Sequence, residues 1–133
     1  MLRYLLDTNM VIYVIKSKPL SALHLFNEHA GHMAISSITL AELLHGAEKS
    51  NAPSRTLSVV EDFCTRLEVL PYGPKAAQHY GSIRSALEKR GETICVNDLH
   101  IAAHARSEGL TLASNNLREF ERVEALQLAN WAI

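Results

Sequence analysis

The chain is short of the residues that most often announce a function. Cys64 and Cys95 are the only two cysteines among 133 residues. They are too few and too far apart for a disulfide framework or a thiolate metal site, and both are expected to be inert core residues. Charge is nearly balanced, with 13 Lys and Arg against 14 Asp and Glu, so bulk electrostatics would not draw this chain to nucleic acid. No apolar run approaches the roughly 20 residues that span a bilayer. Asp7 interrupts the N-terminal apolar stretch where a secretory signal would continue. A cytoplasmic protein with no membrane attachment is therefore expected. There is no Gly-x-Gly-x-x-Gly run and no Walker lysine motif, which removes the standard nucleotide cradles. Aspartate is scarce too: Asp7, Asp62 and Asp98 are the only three.

What is present suits one globular domain over residues 1–133, with 47% hydrophobic residues to build its core. Strands are predicted over residues 4–6, 32–36, 68–70, 110–113 and 126–128. Helices are predicted over about 10–15, 20–29 (closed by Gly31), 40–48, 53–66, 75–90 and 99–108, with a helical turn near 118–121. Pro53 sits where a first-turn proline starts a helix, and Gly91 and Gly109 sit where helices end. Strands that alternate with helices predict an α/β fold, a three-layer α/β/α sandwich around a mainly parallel sheet of about five strands.

In such a sheet the helices run opposite to the strands they cover. Strand C-termini and helix N-termini then share one edge, where ligands bind. Asp7 ends the first strand, and Glu42 lies near the start of the helix after the second. Asp98 opens the helix leading into the fourth strand, and Asn116 lies just past that strand. All four map to one edge. Glu42 is flanked by Leu40, Ala41, Leu43 and Leu44, a poor place for a carboxylate that needs only water. Burying several carboxylates together is unfavourable unless a cation neutralises them. Oxygen ligands select Mg2+ or Mn2+ over Zn2+. Such a metal polarises a phosphate and lowers the pKa of an attacking water, so phosphodiester hydrolysis is the expected chemistry.

Each residue also has a plainer reading. Asp7 fits a helix N-cap, as does Asn97 or Asp98. Thr39-Leu40-Ala41-Glu42 fits a capping box, and Asn116 fits a turn. Other apparent motifs carry less. His100 and His104 are spaced like zinc ligands, but the run His-Ile-Ala-Ala-His lacks the glutamate of a zinc protease, so a packing or surface role is expected. Ser36 and Ser37 have no triad setting, and Trp131 reads as a core plug.

Leu-Asp-Thr-Asn at 6–9, Thr-Leu-Ala-Glu-Leu at 39–43, Asn-Asp at 97–98 and Ser-Asn-Asn-Leu-Arg-Glu-Phe at 114–120 together resemble the PIN-domain ribonucleases. More closely, they resemble the VapC toxins of bacterial VapBC toxin–antitoxin pairs. The likeness extends over nearly the whole chain, through Ile35-Ser36-Ser37, Gly46-Ala47-Glu48-Lys49-Ser50 and Ile101-Ala102-Ala103-His104-Ala105-Arg106. These stretches are similar to the enteric branch that cuts initiator tRNA in its anticodon stem-loop.

The resemblance implies a metal-dependent endoribonuclease in which Asp7, Glu42 and Asp98 hold Mg2+, with Mn2+ as an alternative. Asn116 stands where many members have a fourth acidic residue. Thr8, Asn9 and Ser114 are implied as supports, Thr8 and Asn9 orienting Asp7 and the metal waters. It also implies a homodimer, and a VapB-like antitoxin whose C-terminal tail covers the acidic site with a basic side chain. Before Asp98 this chain reads Glu-Thr-Ile-Cys-Val-Asn, where relatives often carry Pro and Gly, which alters the loop but not the ligand. Three rival readings stay open: a non-catalytic PIN-like RNA-binding module, a metal-dependent nuclease acting on another RNA or on DNA, and a receiver-type signalling domain. The last wants an acidic pair after the first strand and a Lys near the end of the last, and neither is present.

Overall fold

Five very short, apolar strands form the centre of the computed structural model, which describes residues 1–133. They are β1 (Tyr4–Leu6), β2 (Met33–Ser36), β3 (Glu68–Leu70), β4 (Thr111–Ala113) and β5 (Leu128–Ala129). Their order across the sheet is β3-β2-β1-β4-β5, and every pairing is parallel. Seven helices connect them: α1 (Thr8–Lys16), α2 (Leu20–Glu28), α3 (Ser37–Glu48), α4 (Pro53–Cys64), α5 (Pro74–Arg90), α6 (Val96–Glu108) and α7 (Leu117–Phe120).

The three layers follow from the two-residue period of the strands. Leu5, Ala34 and Leu112 face one side, where they meet Ile83 and Leu87 of α5 and Leu99 and Ile101 of α6. Their neighbours Leu6, Met33, Ile35 and Ala113 face the other side. There they pack with Met10 and Val14 of α1, Phe26 of α2, Leu43 of α3 and Phe63 of α4. Both faces of the central strands are thus covered, which explains why their sequences are continuous apolar runs rather than alternating ones.

The strand order has a direct functional consequence. From β1 the chain moves outward to β2 and β3, then returns to place β4 on the opposite side of β1. The reversal leaves a crevice beyond the C-terminal ends of β1 and β4, the position where open parallel sheets bind ligands. A receiver-type domain would show the order 2-1-3-4-5, so that reading is excluded.

Several helix ends differ from the sequence expectation because side-chain caps start helices earlier than apolar periodicity does. Asp7 caps α1, which begins at Thr8 rather than near residue 10. Ser36 caps α3 by accepting a hydrogen bond from the Ile38 amide at 3.1 Å. Thr39 therefore lies inside α3, and Thr39 to Glu42 is not a capping box. Cys95 is the cap residue of α6, so neither Asn97 nor Asp98 is one. The second helix closes at His29, short of Gly31. Gly91 and Gly109 do terminate α5 and α6, in left-handed conformation with φ of 67° and 66°. Trp131 is buried beside Tyr4 and His29, as a core plug should be. Cys64 is half-buried, whereas Cys95 is exposed rather than an inert core residue.

Leu6 is fully buried between the sheet and α1, and it precedes the carboxylate at the crevice. Leu6→Ala should destabilise the protein by about 2–5 kcal/mol, read as a lower midpoint in urea unfolding with an unchanged slope.

Candidate metal centre

The crevice is built around Asp7. Its amide continues the β1–β4 pairing by donating to the Ala113 carbonyl at 3.1 Å. Its side chain is buried and both oxygens are engaged. Oδ1 accepts from the Met10 amide at 2.8 Å, and Oδ2 accepts from the Ser114 hydroxyl at 2.6 Å. The capping reading of Asp7 is thus geometrically correct, yet it uses one oxygen only. Ser114, immediately after β4, also accepts from the Asn116 amide at 2.9 Å. Asn116 is tied to the crevice by its backbone, at the N-cap of α7, and its side chain makes no cap hydrogen bond.

Glu42 reaches the crevice from the second turn of α3. Its two oxygens accept from the Thr8 hydroxyl at 2.6 Å and from the Asn97 amide group at 3.1 Å. The Thr8 hydroxyl lies 3.3 Å from that of Thr39. Thr8 therefore steadies Glu42, not Asp7 as expected, because as the first residue of α1 it faces α3. Asn9 is exposed on α1, and the hydrogen bond that orients Asp7 from this helix comes from the Met10 amide instead.

Asp98 enters from the first turn of α6 and is half-buried. One carboxylate oxygen of Asp98, one of Glu119 and the Cys95 thiol lie within 4.8 Å of one another. Glu119 was not singled out from sequence, although the topology that carried Asn116 to the edge also carries the next turn of chain. Phe120 is fully buried and anchors α7, which holds its neighbour Glu119 at the crevice. Asn97, a cap candidate by sequence, is a hydrogen-bond partner of Glu42 instead.

The charges reveal how closely these groups crowd. Burial pushes the Asp98 carboxyl up to about 6 from an ordinary 3.8, with further upward pressure from Asp7, Glu119 and Glu42. Burial also raises Asp7, with Glu42 adding to it and the Ser114 and Met10 hydrogen bonds opposing. One Glu119 oxygen is buried with no hydrogen-bond partner. Asp98 and Glu119 stand close enough to share an ion, while Asp7 and Glu42 lie outside that 4.8 Å cluster but near enough to push the Asp98 carboxyl up; crowded carboxylate oxygens of this kind are what a hard divalent cation satisfies. The Cys95 thiol is the one soft donor nearby.

Comparison with known proteins gives the same neighbourhood. Residues 4–126 match the PIN domain family. The chain is 62% identical over 131 residues to Ribonuclease VapC2 of Haemophilus influenzae, covering 98% of this chain and 99% of that protein. It is 49% identical over 132 residues to the tRNA(fMet)-specific endonuclease VapC of Shigella flexneri, covering 99% and 100%. Its fold overlays a chain in the crystal structure of DNA-bound VapBC from Salmonella typhimurium with a TM-score of 0.94, at 50% identity, covering 98% and 99%.

Because the folded-state Asp98 carboxyl lies above its ordinary value, the metal-free fold binds more protons than the unfolded chain between about 4 and 6. The stability this group contributes is present at low pH and is lost as pH rises through 6. A cation needs the ionised form and works in the opposite direction. The rise in Tm produced by Mn2+ should therefore be large at pH 7.5 and shrink steeply below pH 6; a shift independent of pH would refute the clustering.

Proposed function

Since the chain belongs to the PIN-domain family, and within it to the VapC ribonucleases, we propose that it is the toxin of a type II toxin–antitoxin pair, an endoribonuclease dependent on a divalent metal. The single observation that carries the catalytic reading is the convergence of Asp7, Glu42, Asp98 and Glu119 at the β1–β4 crevice. A binding module that had given up catalysis would have no reason to bear the repulsion within that cluster. The relatives named tRNA(fMet)-specific endonuclease support initiator tRNA as the substrate, cut in the anticodon stem-loop. The chain would act as one catalytic unit, residues 1–133, in the cytoplasm where its substrate is; no helix is long and apolar enough to cross a membrane.

Asp7, Glu42 and Asp98 are assigned as metal ligands, with Glu119 completing the acidic wall. Mg2+ is the favoured ion, Mn2+ its substitute, because the donors are oxygens. Bound there, the ion would polarise the scissile phosphate and lower the pKa of an attacking water. The protein's own contribution is position. Met10 and Ser114 lock Asp7, Thr8 and Asn97 lock Glu42, and the crevice excludes water behind Asp7. The Asp98 carboxyl, pushed up to about 6 by burial and by its acidic neighbours, would be held in its ionised form by a bound cation. Ser114 supports Asp7 directly. Asn116 contributes through its backbone, and Asn9 is left as a solvent-side residue that could contact substrate.

The partner reading rests on the VapBC complexes among the structural neighbours. A largely apolar groove of about 400 Å3 runs between α1, α3 and α4. It is lined by Ile12, Ile15, Leu43, Val59 and Val60, with Thr8 and Glu42 at one end. The C-terminal tail of a VapB-like antitoxin would lie here, its apolar side chains in the groove and a basic one against Glu42. A toxin homodimer would then assemble with antitoxin into a hetero-oligomer.

Asp7→Ala and Asp98→Ala should each abolish Mg2+-dependent cleavage of initiator tRNA and relieve growth inhibition while leaving circular dichroism unchanged. Asn116→Ala should lose far less, under about tenfold, because its side chain is not part of the network. Full toxicity of Asp7→Ala would refute the assignment. Val59→Glu, placed in the groove, should weaken co-purification with the antitoxin yet leave cleavage by the free toxin intact.

A further inference from the structure

A buried polar cluster lies beside the site and takes no part in the chemistry described above. His104 of α6 is almost completely buried, and its Nδ1 is 2.7 Å from the hydroxyl of the equally buried Ser36. That hydroxyl already accepts the Ile38 amide as the cap of α3, so its own proton is free for Nδ1. The other ring nitrogen, Nε2, is buried with no hydrogen-bond partner, a feature that ordinarily destabilises a fold. Burial lowers the pKa of the ring, against an opposing pull from Glu108, and so favours its neutral form. A histidine held at that disadvantage is there for its bond to Ser36.

Tyr72, just past β3, reinforces the same junction. Its amide donates to the Ser37 hydroxyl at 3.0 Å, and its own hydroxyl is 2.8 Å from His100 Nδ1. The edge of its ring packs on both His100 and His104. One residue from the edge of the sheet thus grips the first turn of α3 with its backbone and the middle of α6 with its side chain.

The pairing pattern shows what this fixes. Ser36 meets His104, and Glu42 meets Asn97. Along this contact the two helices run antiparallel, pinned at two points six residues apart on α3 and seven on α6, or about 9 Å and 10.5 Å of helix. One pin lies inside the acidic site and the other outside it. Sliding one helix past the other by a single residue would move Glu42 by about 1.5 Å relative to Asp98, a displacement large on the scale that catalytic geometry tolerates.

We infer that His104 and Tyr72 form a polar strut between α3 and α6 that sets the span between Glu42 and Asp98, making both of them positioning residues for the metal site. The inference rests on the metal-centre reading above, and its test separates the two. Mn2+ binding is measured by calorimetry on the purified folded toxin, well below Tm, with Tm recorded in parallel, for the wild type, Tyr72→Phe, His104→Leu and His104→Asn. Tyr72→Phe loses one hydroxyl and keeps its ring, so its folding is secure. His104→Asn can put a polar atom where Nδ1 was. Tyr72→Phe and His104→Leu should each raise the Mn2+ Kd about five- to tenfold, and His104→Asn should recover most of the affinity while staying as heat-sensitive as His104→Leu. Variants with lowered Tm but wild-type Kd would show a merely structural role and overturn the strut alone. A wild-type protein that binds no Mn2+ would overturn the metal centre, and the strut with it.

Discussion

Repulsion among carboxylates is the constraint to which the rest of the molecule answers. Asp7, Glu42, Asp98 and Glu119 come from four different segments, and each would be more stable alone in water. They are held together because each segment is committed elsewhere. Leu6 and Met10 bury the flanks of Asp7, Leu43 buries the flank of Glu42, Leu99 that of Asp98, and Phe120 that of Glu119. Apolar burial of neighbours thus supplies the free energy that keeps like charges close. Polar partners then limit the freedom of two of the carboxylates: every oxygen of Asp7 and Glu42 has a hydrogen-bond donor.

The alternation of helices with a parallel sheet of five strands is legible in the sequence, because it depends on periodicity and on chain order, whereas the strand order β3-β2-β1-β4-β5 is not. The strand at Tyr4–Leu6 and the one at Glu68–Leu70 were read to the residue, since short apolar runs bounded by Asp7 or Pro71 leave little latitude. Asp7, Glu42 and Asp98 could be brought to one edge by topology alone. Side-chain direction was not legible. Thr8 was assigned to its sequence neighbour Asp7, but a helix that begins at Thr8 turns this residue toward α3 and Glu42. Glu119 was passed over because a four-residue helix gives no periodic signal. Cys95 was misplaced in the core because exposure at a helix cap depends on how the preceding loop enters α6.

The family relationship and the physical reading meet at different levels. Similarity over almost the entire chain identifies the lineage, while the hydrogen bonds explain why particular residues must be of their type. Ser114 is such a case. A hydroxyl there is needed to donate to Asp7 and to accept from the backbone of Asn116 in the same instant, which a carboxylate or an alkyl group cannot do. Thr would serve as well, and an alanine would not.

The double engagement of Asp7 carries a kinetic implication. With Oδ1 holding the start of α1 and Oδ2 holding Ser114, this side chain cannot swing away without giving up both bonds at once. An anchored carboxylate is preorganised, so whatever engages Asp7 has little ordering left to bring about there. Freedom in the acidic cluster then lies with the side chains that lack such anchors, and rigidity and adaptability belong to different residues of one site.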